Sequence, residues 1–182
     1  MNANFQSSSR QQGEWFEATC RQVLEAAGFT VDAVHQPIDD AGVEVDIIAT
    51  NQHAISFFIT CKGSYRGRRP GVRRTDTLKK AIAEAYALHQ RGCGPVLLLT
   101  SHLPDTPTGR ALLETVDPDV LYDAICVLEG ERRLRWLAEA DESKLVADLD
   151  RRKSLFTSGK PSAPYRAWPG DRPLHRRPRR RR

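Results

Sequence analysis

The chain has 182 residues and a mass of 20.5 kDa with 40% hydrophobic residues, room for one domain with a core and a tail. No stretch approaches the roughly 18 consecutive apolar residues of a membrane-spanning helix, and the amino end, MNANFQSSSRQQ, lacks the apolar run of a secretory signal. The net charge of +5 is divided unevenly: residues 151–182 hold 12 Lys/Arg and one acid, Asp171 (+11), whereas residues 1–150 hold 16 Lys/Arg against 22 Asp/Glu (−6), so a mildly acidic body carries a strongly basic tail.

Positions 1–12 are polar and read as a flexible amino terminus. From Gly13 to Ala27, Trp15, Phe16, Cys20, Val23, Leu24 and Ala27 recur at helical spacing, with Gly28 as the stop. Phe29–Val34 predicts a short strand, residues 36–42 a loop, and Val43–Ala49 a strand joined through Asn51-Gln52-His53 to a partner over Ile55–Cys61. Gly63–Arg74 has no apolar period. A helix then follows from Thr75 or Asp76 with the stripe Leu78, Ile82, Ala85, Tyr86 and His89. Val96–Thr100 is an apolar run of the buried-strand kind. A short helix is predicted near Arg110–Thr115, strands over Val120–Leu128 and Leu134–Leu137, and a last helix over Asp141–Phe156. Beyond Ser158 the chain is rich in Pro, Gly and Arg and is expected to be disordered. Helices and strands in this order predict an α/β fold with a mixed central sheet flanked by helices. Cys20, Cys61, Cys93 and Cys126 form no CxxC pair, which predicts reduced thiols in a cytoplasmic protein.

The hairpin carries the chemistry. Strand residues two apart share a face, so Glu44, Asp46 and Ile48 line one face and Ser56, Phe58, Thr60 and Lys62 line one face of the next strand. An acid inside an apolar strand needs a cation or metal as partner. Asp46 and Lys62, at the ends of adjacent strands, can converge, and Glu17 borders the first helix's apolar stripe where it can face the same sheet end. Against this stand plainer readings: Asp46 capping a turn, Lys62 an ordinary strand-end lysine, Glu17 pairing with Arg21 at i+4, and Glu44 a polar residue on a half-exposed strand. His35, His53, His89 and His102 lack metal-ligand spacing and read as structural or exposed.

The run Glu17 … Gly42-Val43-Glu44-Val45-Asp46-Ile47-Ile48-Ala49 … Phe57-Phe58-Ile59-Thr60-Cys61-Lys62 resembles the PD-(D/E)XK, or restriction-endonuclease-like, nucleases, closest in look to the Mrr-like branch, over roughly residues 13–137. The resemblance implies an αβββαβ core, Mg²⁺ or Mn²⁺ as cofactor and cleavage of a DNA backbone. Asp46 falls on the metal-binding aspartate, Lys62 on the lysine of the motif, and Glu17 on the helix acid of some members. The family's acid two residues before the lysine is here Thr60. The Cys61 carbonyl, with Glu44 or Glu17 as auxiliary acid, would complete the ligand set. A threonine is a poor metal ligand beside a carboxylate, so the alternative is a nucleic-acid-binding module with an inactive site, serving in a defence, repair or recombination assembly.

Eight basic residues between Lys62 and Lys80, including Arg66, Arg68, Arg69, Arg73 and Arg74, face one acid, Asp76, and are the expected phosphate-binding segment. The arginine tail adds salt-sensitive affinity for DNA, and RNA would attract it equally. The expected organisation is therefore a flexible stretch 1–12, a nuclease-like domain 13–156 and a disordered basic tail 157–182. A single site per chain would need a homodimer to cut both strands.

Overall fold

The computed structural model describes residues 3–64 and 70–157. Five helices and five strands follow one another as α1 (Ala3–Ala27), β1 (Thr30–Ile38), β2 (Val43–Thr50), β3 (Ser56–Lys62), α2 (Thr75–Gln90), β4 (Val96–Thr100), α3 (Pro107–Glu114), β5 (Asp123–Cys126), α4 (Glu131–Glu139) and α5 (Glu142–Thr157). The sheet runs β1-β2-β3-β4-β5, antiparallel across the first three strands and parallel across the last three. Among the described residues no helix is long and apolar enough to cross a membrane. The fold is a mixed α/β sheet with helices on both faces.

Alternation along the strands sorts the core into two layers. Phe16, Cys20 and Leu24 of α1, with Leu134 and Leu137 of α4, pack on Ile47, Phe57, Ile59, Leu97 and Leu99. Leu78, Ala81, Ala85 and Leu88 of α2, with Leu113 of α3, cover Val45, Val96, Leu98 and Ala124. All five residues of β4 are buried because Leu97 and Leu99 enter one layer and Val96 and Leu98 the other. That is why its sequence is an unbroken apolar run rather than an alternating one.

Several elements differ from the sequence expectation. Helix α1 begins at Ala3 rather than Gly13. It ends as expected: Gly28 takes a left-handed φ of +104°, and the Gly28 and Phe29 amides return to the Glu25 and Leu24 carbonyls. Strand β1 extends to Ile38, and β5 is only four residues long because the Val120 and Leu121 amides close a turn onto the Asp117 carbonyl. The expected strand Leu134–Leu137 is helix α4; Leu134, Leu137 and Ala138 are spaced three and four apart, a helical stripe that faces the core. Asn51 in the hairpin turn is buried. Its amide donates to the Leu137 and Ala140 carbonyls and its oxygen accepts from the His53 and Ile55 amides, so one side chain ties the hairpin to the end of α4.

Under β5 lies a buried ionic network. Asp123 accepts from Arg133 Nε and Arg152 Nη2, each at 2.7 Å, and Asp148 accepts from Arg152 Nε at 2.9 Å, from Arg133 Nη2 and from the Tyr122 hydroxyl at 3.1 Å. Burial alone would raise the Asp148 carboxyl, but Arg133 and Arg152 outweigh it and hold the group well below the usual carboxylate range. Burial and the Asp148 charge push the Tyr122 phenol well up. A depressed carboxylate stabilises the fold above its unfolded-state value near pH 3.9 and loses that contribution as pH falls through the folded value. Asp148→Asn is therefore expected to cost about 3 kcal/mol at pH 7, because two buried guanidinium groups are left sharing the single carboxylate of Asp123. Urea denaturation at pH 7 and pH 3 checks this, with the deficit shrinking at the lower pH.

Candidate functional site

The β2–β3 ladder ends at the pair Ile47–Ile59. Beyond it the strands part, and Cys61 needs another acceptor for its backbone N–H. The Asp46 carboxylate supplies one: Oδ2 accepts from Cys61 N at 2.5 Å and from the Thr60 hydroxyl at 3.3 Å, and lies 3.5 Å from Lys62 Nζ. Core packing changes sides at the same point. Val45 belongs to the α2 layer, whereas Ile47 and Ala49 belong to the α1 layer, so Asp46 sits where both faces of the sheet are reachable.

A residue not singled out in the sequence completes the cluster. Glu84 of α2 places Oε2 2.8 Å from Lys62 Nζ and 2.9 Å from the Thr60 hydroxyl. The expected stripe is Leu78, Ile82, Ala85, Tyr86 and His89, of which Leu78 and Ala85 are buried and Ile82 packs against the core. The observed stripe is Leu78, Ala81, Ala85 and Leu88, with Tyr86 exposed, and it brings Glu84 to the border of the buried face. The signal was present in Ala81, Ala85 and Leu88, small and apolar at spacings of three and four. Thr60 thus stands where the resemblance expects an acid, and its hydroxyl is oriented by the acid that another element supplies.

Lys62 is mostly buried between these carboxylates. Burial pulls its pKa down, but Asp46 and the hydrogen bond to Glu84 outweigh that and leave it raised. Held between these carboxylates it carries its proton at neutral pH. The Cys61 thiol, hydrogen-bonded to Cys20 and buried, is pushed well up, so this residue offers the site its backbone and not a thiolate.

Glu17 approaches from the α1 layer. Burial and the nearby Asp46 charge raise its pKa, against the lowering influence of His35, Lys62 and Arg21. Phe16, its neighbour, lies so close to Gly63 that a Cβ there would come within 2.3 Å of the ring, and this contact sets the spacing between α1 and the end of β3. Glu44 does not join Asp46 and Lys62; it pairs with His35 Nδ1 at 3.2 Å and is half-exposed. His35 Nε2 lies 3.3 Å from Glu17, so one of the histidines read as structural or exposed stands beside the cluster.

The basic segment after β3 is anchored at its base. Thr100 donates its hydroxyl to the Lys62 carbonyl at 2.7 Å, Ser101 and Ser64 exchange hydrogen bonds, and the Val72 amide donates to the His102 carbonyl. Arg73 pairs with Asp105 and Arg74 with Asp76. Arg66, Arg68, Arg69 and the arginine tail lie outside the described residues.

Chemically, the cluster is a set of hard oxygen donors, Asp46, Glu84 and Glu17, with one buried ammonium among them, which leaves an excess of negative charge on the site. Among the described residues no three His, Cys, Asp or Glu side chains are gathered tightly enough to form a metal cage by themselves. Mg²⁺ does not require one, because it retains several waters and takes one or two protein carboxylates. No family model, no curated protein and no solved structure matches the chain.

Two outcomes follow from this geometry. A raised carboxyl favours folding below its unfolded value, and that contribution is lost as pH rises through the folded value. Ionised Glu17 therefore destabilises the fold at neutral pH, and Glu17→Gln should raise Tm at pH 7 by up to a few degrees and by less at pH 4, as read by scanning fluorimetry. Gly63→Ala should lower Tm by several degrees, since Phe16 must leave its place against the strand end.

Proposed function

We propose that the chain is a metal-dependent DNA endonuclease of the restriction-endonuclease-like kind, with an αβββαβ core formed by α1, β1–β3, α2 and β4. The observation that carries this reading is the Lys62 ammonium shared between Asp46 and Glu84, since Glu84 supplies the carboxylate missing at Thr60. Paired carboxylates, a lysine and a backbone carbonyl near a strand end suit a phosphodiester, whose hydrolysis needs charge neutralisation and an oriented water.

Asp46 and Glu84, with the Cys61 carbonyl, would hold Mg²⁺ or Mn²⁺, and Glu17 is the auxiliary acid. Bound there, the ion supplies the Lewis acid that polarises the phosphoryl oxygen and acidifies a water. Thr60 donates to one carboxylate at a time and keeps both aimed at the same point. Lys62 would present its protonated amine to the non-bridging phosphate oxygens, where negative charge builds up in the transition state. Arg73 and Arg74, with Arg66, Arg68, Arg69 and the tail, would hold the backbone by charge. A homodimer would bring two sites to the two strands.

Purified wild-type protein is expected to nick supercoiled DNA with Mg²⁺ or Mn²⁺ and not with EDTA. Asp46→Asn and Glu84→Gln should each reduce cleavage by roughly 100-fold or more while retaining gel-shift binding, which weakens steeply with salt. Cleavage that survives both substitutions would overturn the assignment. Binding without cleavage in the wild type would instead support the second reading, a nucleic-acid-binding module with an inactive site, which Thr60 favours. RNA in a parallel lane distinguishes the substrate.

A further inference from the structure

Strand β1 is irregular where it passes the site. Its register with β2 shifts between Val31 and Ala33, and His35 then takes φ +49°. Left-handed backbone is uncommon for any residue with a Cβ, and a side chain held there without an evident turn is found chiefly where the surroundings over-determine it. The register that pairs Val34 with Ile47 and Gln36 with Val45 sets His35 across from Asp46. Its ring bridges two carboxylates from two elements: Nδ1 lies 3.2 Å from Glu44 Oε1 on β2, and Nε2 lies 3.3 Å from Glu17 Oε2 on α1.

We propose that His35 is a positioning residue that holds the Glu17 carboxylate beside Asp46, with Glu44 fixing the ring from its other nitrogen. This rests on the nuclease reading above and adds to it an element, β1, that the expected site residues do not include. The ring bridges two acids, and outer polar contacts of this kind hold metal-binding carboxylates in place. Glu44 thereby has a role other than ligation. It fixes the ring as the outer carboxylate, and the ring fixes Glu17. Without His35, Glu17 keeps the like charge of Asp46 acting on it and loses the polar partner 3.3 Å away.

Full-length protein and four variants, the single Glu17→Gln among them, separate this role from a backbone requirement. His35→Asn accepts the left-handed backbone, but its short amide reaches Glu44 only. His35→Gln places a donor where Nε2 stood and so keeps the contact to Glu17. His35→Asn/Glu17→Gln tests whether the two residues act together. Mn²⁺ affinity, read by calorimetry, is expected to fall about 10-fold in His35→Asn with Tm nearly unchanged, and to recover most of that loss in His35→Gln. The double variant should bind Mn²⁺ no more weakly than Glu17→Gln alone, because the histidine acts through that acid. Wild-type affinity in His35→Asn, or additive losses in the double variant, would overturn the positioning role and leave the nuclease reading intact. A wild-type protein that neither binds Mn²⁺ nor cleaves DNA would overturn both.

Discussion

The site depends on what happens to one backbone amide. Where the β2–β3 ladder stops, Cys61 N–H has no strand partner, and an unpaired amide in so buried a place would cost about 1–3 kcal/mol. Asp46 satisfies it with a carboxylate. That solution imports a charge, and the charge has to be answered. Lys62 answers it, which calls for a second carboxylate to balance a buried ammonium, and Glu84 provides it. Each step is forced by the desolvation cost of the step before, and the outcome is an acidic cluster with a single cation at a strand end.

The scaffold is organised to hold that end still. α1 and α2 lie on opposite faces of the sheet, so Glu17 and Glu84 approach the open end of the hairpin from opposite layers. Phe16 packed on Gly63 fixes the approach of the first helix, and the stripe Leu78, Ala81, Ala85 and Leu88 fixes the rotation of the second. Far from the site, Asn51 binds the hairpin turn to α4, and the Asp123–Arg133–Asp148–Arg152 network locks α4 and α5 under β5. The closed end of the hairpin is rigid through directional hydrogen bonds. The open end is left with charges that only partly cancel, and the destabilising carboxylate Glu17 sits there. Locally unfavourable electrostatics beside a well-tied framework supports the binding role proposed for this end of the sheet.

Segments whose period stands alone adopt the structure that period predicts. Val43–Ala49 and Ile55–Cys61 are β-branched and aromatic with a short polar turn between them, and they pair as a hairpin. Val96–Thr100 is a strand covered on both faces. Asp46, Thr60, Cys61 and Lys62 could be brought together from strand alternation and hairpin pairing alone, because those contacts follow from local geometry. The reading failed where the period was ambiguous. Leu134-Arg135-Trp136-Leu137 contains two leucines three apart, which fits a helix as well as a short strand, and the core chose the helix.

Glu84 and His35 were out of reach for a different reason. Glu84 lies 22 positions after Lys62, and its role turns on the rotation of α2 by less than a quarter-turn, which is decided by how Ala81 and Ala85 allow the helix to approach the sheet. His35 meets Glu17 only because β1 shifts register and takes a left-handed step. The sequence by itself determined the order of helices and strands from α1 to β5, the hairpin, the lysine and aspartate at its open end, and the basic segment that follows. Those are properties of chain-local periodicity and charge. Which acid completes the cluster, and which residue restrains the acid on α1, were decided by tertiary structure alone, because both depend on packing distances and helix rotation that arise only when separate elements share a core.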